Sequence, residues 1–393
     1  MRRLAAFVLA VAPLVAKQPL VVVSVDGLDN RYLADADRLG LKIPNLRRLM
    51  RDGQWSAGVV GAVPTITWPS HTSILTGADP VRHGILANWR PPGEKYLDYS
   101  QIKVPTLLGA ARAAGLKTAS VNWPVTVNAP VDWNLPEVFA KRRGGAMDTR
   151  SIAAKANPPD LVERIAKDFP SFPQEWMDDR TRTQAVVWIL GHGHPDLLVV
   201  HLVDLDSEEH ETGPFSAESK AIVERTDELI GEIVRAMPAG GAIAVVSDHG
   251  FERVDRLVNL AKVVPGVVQS GGFVVAPDAA TAEKLRELKA LGADPDYGIG
   301  REIPSAEYGR FPSTLPQNPA AVFEAAEGVM FGIGPELFAK PEEVGNHGHW
   351  PMRYRSVFVL SGAGVRHEVL PEFSIKDIAG RLAGVLGVPF QAP

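Results

Sequence analysis

The sequence predicts an α/β fold: a central, mostly parallel sheet flanked by helices, with an insertion over the site. Residues 19–25, 196–203 and 241–246 contain β-branched and aliphatic runs typical of strands buried on both faces. Helix-period segments separate these runs, among them residues 105–115 and 217–237. Acidic residues or histidines follow each run, and open α/β sheets collect functional groups beyond the carboxyl ends of their strands.

With 393 residues, 45% of them apolar and 22% charged, the chain can build a large core. No fixed-period repeat or low-complexity run divides it. A single domain over residues 17–393, with an insertion or cap at 257–343, is the expected organisation. Residues 1–16 place Arg2 and Arg3 before an apolar run, the order of an export signal. Cleavage after Ala12 or after Ala16 fits the small residues there, and a buried N-terminal segment is the alternative. The run is too short to span a bilayer and no later one is longer, so no stable membrane span is expected after signal removal. The expected location is periplasmic or secreted.

Loss of the signal leaves 39 basic against 46 acidic residues, a net −7. No overall basic charge is left for a nucleic-acid groove. The absence of cysteine excludes disulfides, thiolate ligands and a cysteine nucleophile.

In chain order, the first strand ends at Asp26-Gly27, where Asp26 fits either a metal ligand or an Asp-Gly turn. A short helix at 44–51 and a strand at 57–63 lead to Thr67. The helix at 68–76 starts with Trp-Pro and is closed by Gly77, so its free N–H groups favour an anion that the Thr67 hydroxyl can attack. Taken alone, Thr67 also fits an ordinary N-cap. Asn88 can return its amide towards Thr67.

A helix at 105–115 and a strand at 117–122 precede a loop-like stretch at 133–157. Helical patterns resume at 160–167 and 180–190. His192 and His194 read as a solvated loop, and His201, inside the next strand, as a core or hydrogen-bonded histidine. Asp206 and His210 lie four apart after Asp204, a spacing that lets an oxygen and an imidazole share one cation. The strand at 241–246 ends in Ser247-Asp248-His249-Gly250, a ligand pair or a strand-end turn. His347 stands between Gly345 and Gly348 before a late strand at 356–361.

Asp26, Asp206, His210, Asp248, His249 and His347 supply six oxygen or nitrogen ligands and no sulfur. That number suits two divalent ions, with Zn²⁺ favoured and Mn²⁺ or Fe compatible. Two such ions form a clamp for phosphoryl displacement, which activates the Thr67 hydroxyl.

The ordered motifs Asp26-Gly27, Thr67-Trp-Pro-Ser-His, Thr76-Gly77, His83-Gly84-Ile85, Asp206 with His210 and Gly213-Pro214, Asp248-His249-Gly250 and His347-Gly348 resemble the type I phosphodiesterase/nucleotide pyrophosphatase family of the alkaline phosphatase superfamily. The resemblance covers essentially the whole mature chain and implies an alkaline phosphatase-like fold. It implies one metal on Asp26, Asp248, His249 and the Thr67 oxygen, and another on Asp206, His210 and His347. It also implies a phospho-threonine intermediate on Thr67, a phosphate contact from Asn88 and the Thr67 N–H, and a nucleobase or aryl group stacked on Trp68. Ser70, the Ser-Glu-Glu before His210, and His349 depart from the family pattern, and Glu208 and Glu209 would disfavour highly anionic substrates.

The expected substrate is a small phosphate diester, nucleotide-like or otherwise. A phosphomonoesterase on the same metal core is the alternative, with Lys141, Arg142 and Arg143 as its possible extra cations. A noncatalytic metal or phosphate binder is a third reading.

Overall fold

The computed structural model describes residues 18–88, 97–138, 142–143, 146–147, 150–172, 178–292, 296–311 and 318–393. The expected signal at 1–16 and Lys141 lie outside these residues. A nine-stranded sheet forms the centre. Its order is Glu368–Val369, Gln54–Val60, Ser356–Gly362, Ala242–Val246, Leu20–Val25, Leu197–Leu202, Thr118–Val121 and Trp133–Leu135. Phe373–Ser374 also pairs with Gln54–Val60. Only Ser356–Gly362 runs against its neighbours, so the sheet is mostly parallel.

The three central runs are buried along their full length because the sheet is covered on both faces. Side chains alternate across it. Val21, Val23 and Val25 face one core with Ile189 and Ile230, whereas Leu20 and Val22 face the other with Ile74, Leu107 and Leu382. Leu20–Val25 pairs in parallel with both Ala242–Val246 and Leu197–Leu202, so all three carboxyl ends share one edge. Two antiparallel steps through Ser356–Gly362 give Gln54–Val60 the same direction, and its exit towards Thr67 reaches that edge too.

The stretch read as a loop at 133–157 instead begins with the edge strand Trp133–Leu135, paired in parallel with Thr118–Val121. Its three residues are too few for periodicity to mark. His192 lies in the last turn of the helix Asp179–Gly193 and stacks on Trp188 at 4.3 Å, while His194 caps that helix at φ 48. Both precede Leu197–Leu202 and therefore sit at its amino end, away from the shared carboxyl edge.

Between Glu252–Arg253 and Gly345–Asn346, which pair as a two-stranded neck, the chain builds a four-stranded antiparallel sheet. Phe273–Ala276 and Ala321–Ala325 are its inner strands, and the helix Ala279–Ala290 contributes Ala282, Leu285 and Leu288 to a separate apolar core. The neck delivers His347 beside His210: Val344 N–H donates to the His210 carbonyl at 2.8 Å. Among the described residues no helix is long and apolar enough to cross a membrane.

Candidate functional site

Asp26 follows the Leu20–Val25 strand, Asp248 and His249 follow Ala242–Val246, and Asp206 and His210 lie on the helix Asp204–Thr212 after Leu197–Leu202. Adjacency of the three strands thus gathers residues more than two hundred positions apart. Two groups form, Asp26 with Asp248 and His249, and Asp206 with His210 and His347, each with its ligand atoms within 4.8 Å of one another. His249 Nε2 is 3.0 Å from Asp248 Oδ2 and 3.3 Å from Asp26 Oδ1. His210 and His347 place Nε2 at 3.6 and 3.7 Å from Asp206 Oδ1. The His249 and His347 rings, one from each group, stack at 3.9 Å, so the two groups adjoin.

The charges are poorly compensated by protein alone. Burial, then Asp206 and Asp248, pushes the Asp26 carboxyl well above its ordinary value. Burial also raises Asp206 against the opposing pull of His210 and His249. In Asp248, the pull of His249 and His71 outweighs the upward effect of burial and holds the carboxyl low. Asp26 Oδ1 and Asp206 Oδ1 are buried without a hydrogen-bond partner among the described residues. Native interiors leave few such atoms, and bound cations are one way to satisfy a converging set. His210 Nδ1 lies 3.0 Å from the Gly345 carbonyl, a contact that puts the ring proton on Nδ1 and leaves Nε2 as a donor atom for a metal. The donor set therefore fits two divalent cations.

Thr67 is the first residue of the helix Thr67–Thr76, with Ile66 at the cap position, so Thr67 itself does not cap. Asn88 does that from outside: its Oδ1 accepts from Trp68 N–H at 2.8 Å, leaving its NH₂ group as a donor. The Thr67 N–H, free of an intrahelical acceptor at this position, remains available. One turn on, the buried His71 has Nδ1 at 2.8 Å from the Thr67 carbonyl and 3.5 Å from Asp248 Oδ2, which ties this helix start to the first acidic group. Thr65 accepts from Gly348 N–H at 3.0 Å and donates to the His349 carbonyl at 2.6 Å, which fastens the His347 loop to the same place.

Two expectations need correction. Trp68 is 3% exposed and packs with Ile85, Leu97 and Val125, its indole N–H donating to Glu137 at 2.8 Å. Among the described residues, this leaves no open ring face for stacking. Glu209 is fully buried and shares a 2.6 Å hydrogen bond with the Tyr32 hydroxyl, and burial raises its carboxyl well above the ordinary range. It therefore does not confront a substrate with negative charge.

The partner of His201 was not legible in the sequence. Its Nε2 lies 2.9 Å from Asp26 Oδ2, so Asp26 is held by one oxygen and leaves the other facing the acidic group. A polar residue in the buried run Leu-Leu-Val-Val-His-Leu was the available signal. Gly27 is also functionally placed. At φ +75 its N–H donates to Asp248 Oδ1, and an added Cβ would lie 2.8 Å from the Phe251 ring.

The model of the family described as type I phosphodiesterase/nucleotide pyrophosphatase matches residues 20–301. The chain belongs to this family. Among curated members, venom phosphodiesterase 2 of Crotalus adamanteus is 24% identical over 262 residues, covering 62% of this chain and 28% of the relative. Ectonucleotide pyrophosphatase/phosphodiesterase family member 1 of Mus musculus is 23% identical over 250 residues, covering 60% and 24%. The alignments thus span about a quarter of these relatives. Murine ectonucleotide pyrophosphatase/phosphodiesterase 5 shares the fold, with a TM-score of 0.63 at 17% identity over 96% of this chain and 98% of that one. An inactive form of that murine protein, solved in complex with AMP, gives 0.61 at 18% identity over 96% and 97%. These neighbours and the mostly parallel, helix-flanked sheet agree with the alkaline phosphatase-like architecture expected from the motifs.

Proposed function

We propose that the chain is an exported bimetallic phosphodiesterase/nucleotide pyrophosphatase that hydrolyses small phosphate diesters through a phospho-threonine intermediate. The observation that carries this reading is the convergence of the two acidic-histidine groups with the Thr67 helix start at one sheet edge. Asp26, Asp248 and His249, with the Thr67 oxygen, would hold one cation, and Asp206, His210 and His347 the other. Such ions, with Zn²⁺ favoured and Mn²⁺ or Fe compatible, supply Lewis-acid charge that eases loss of the Thr67 proton and neutralises phosphate oxygens. The Thr67 N–H and the Asn88 NH₂ bind a nonbridging oxygen and position phosphorus over the hydroxyl. Thr67 Oγ1 attacks phosphorus, the bond to one ester oxygen breaks, and that alcohol leaves with a proton. Water then cleaves the phospho-threonine bond, restoring Thr67 and releasing the phosphate monoester.

Residues 257–343 act in this reading as an insertion over the site, since Val268, Ser270 and Met330 line a cleft next to His347. A monoesterase must balance one more phosphate charge, and no Lys or Arg lines that cleft among the described residues. Residues 1–16 direct export to the periplasm or outside the cell. The test compares metal-loaded wild type and Thr67→Ala on an aryl phosphate diester and the matching monoester. A diester preference, lost in Thr67→Ala with metal content retained, is expected. Monoester preference overturns the substrate class, undiminished turnover by Thr67→Ala overturns the nucleophile, and an inactive wild type supports a noncatalytic binder.

A further inference from the structure

Ile66 and Ala87, the chain neighbours of Thr67 and Asn88, line a cleft of about 430 Å³ together with His347, Val268 and Met330. Its wall is mostly hydrocarbon, with Ser270 among its polar residues. Gln269, although polar, spends its amide inward: Oε1 accepts from Leu260 N–H at 2.8 Å, and Nε2 donates to Asn259 Oδ1 and the Gly332 carbonyl, both at 3.1 Å. Asn346 donates one N–H to the exposed Glu343 at 2.7 Å and accepts from His347 N–H at 2.9 Å. Leu86 and Val268, 48% and 41% exposed, stand open at the cleft. Among the described lining residues there is no Phe, Tyr or Trp ring to stack a base and no Lys or Arg to meet a further phosphate. Trp68, the aromatic residue next to Thr67, is sealed into its own apolar cluster.

Among the described lining side chains, the Ser270 hydroxyl and one Asn346 N–H are left for a nucleoside, which would exchange the water on its base and ribose for few hydrogen bonds and no Phe, Tyr or Trp stacking, whereas a chain of methylenes loses nothing polar. We propose that the cleft receives a saturated alkyl chain carried by the alcohol of one ester oxygen of the substrate, in place of a nucleoside. The proposal rests on the reading of this site as a phosphodiesterase. Hydrocarbon burial favours each added methylene by up to about fourfold.

The test uses the full metal-loaded chain and p-nitrophenyl phosphate diesters whose second substituent is methyl, hexyl, dodecyl or 5′-thymidyl. The shared leaving group confines differences in kcat/KM to the second arm. At about half the full effect per methylene, hexyl should exceed methyl by roughly 30-fold. The thymidyl ester should fall below hexyl, and Val268→Asp should cut the hexyl-to-methyl ratio by about tenfold. A further rise at dodecyl supports the proposal with a lipid chain as source, and a plateau after hexyl supports it with a small alcohol. Equal rates for methyl and hexyl, or preference for the thymidyl ester, overturn the alkyl arm while leaving diester hydrolysis standing. Hydrolysis of p-nitrophenyl phosphate without any of the diesters overturns the parent reading and the alkyl arm together.

Discussion

Replacing His201 by Leu should weaken metal binding without touching a ligand. His201 and Ser24 are register partners on neighbouring parallel strands, and side chains two residues apart along a strand share a face, which directs His201 towards Asp26. The two side chains are 1% and 2% exposed, and the bond between them is 2.9 Å. Once a cation keeps Asp26 ionised, His201 Nε2–H must be the donor. Hydrogen bonds to charged groups contribute about 1.5–3 kcal/mol, which corresponds to roughly 10–100-fold in affinity and matches the usual cost of removing an outer partner of a metal ligand. Leu fills similar space but leaves Asp26 Oδ2 buried and unpaired, whereas Gln restores a donor. The assay is competition for Zn²⁺ with a chromophoric chelator, with thermal unfolding measured in parallel. The expected order is wild type, then His201→Gln within about fivefold, then His201→Leu weaker by about 10–100-fold. Retention of wild-type affinity by His201→Leu would refute the reasoning, whatever its melting temperature.

Asn88→Ala should lower kcat by about 10²–10³, as loss of an oxyanion donor does, and remove the cap on Trp68 N–H; a fall below threefold would exclude the phosphate contact. Gly27→Ala places a methyl group against Phe251, which packs on His210 and His347 at 4.9 and 5.2 Å. Left-handed strain and overpacking together should cost about 2–4 kcal/mol by denaturant unfolding. His83 is held neutral: burial lowers its pKa from 6.5 to about 4, and its Nδ1 accepts from Ile85 N–H at 3.2 Å. Because the folded value is the lower one, its contribution is complete above pH 6.5 and is lost as pH falls towards 4, by roughly 3 kcal/mol. Unfolding free energy measured from pH 7 to 4 should show this loss, and His83→Gln should flatten it.

The sequence by itself determined the buried strands and the residue types beyond their ends. Runs such as Leu-Val-Val-Val-Ser-Val can only be covered on both faces, and Asp26, Asp206 and Asp248 follow strand runs whatever the rest of the chain does. The three-residue strand Trp133–Leu135 escaped because its pairing with Thr118–Val121, not its own pattern, makes it a strand. Asn88 returns its amide to the Thr67 helix as the sequence suggested, but the contact it makes, a cap on Trp68 N–H from twenty positions away, follows from no local rule.

Tertiary structure alone decided which polar groups face the site and which turn away. Strand order placed His201 against Asp26, and the neck at Gly345–Asn346 put His347 beside His210. Burial removed Trp68 and Glu209 from the surface on which their neighbours in sequence suggested they lay. Composition and spacing fix what a side chain can do chemically, but its direction and its partners depend on elements far away in the chain. For this protein that difference turns an expected aromatic stacking platform beside Thr67 into an aliphatic cleft.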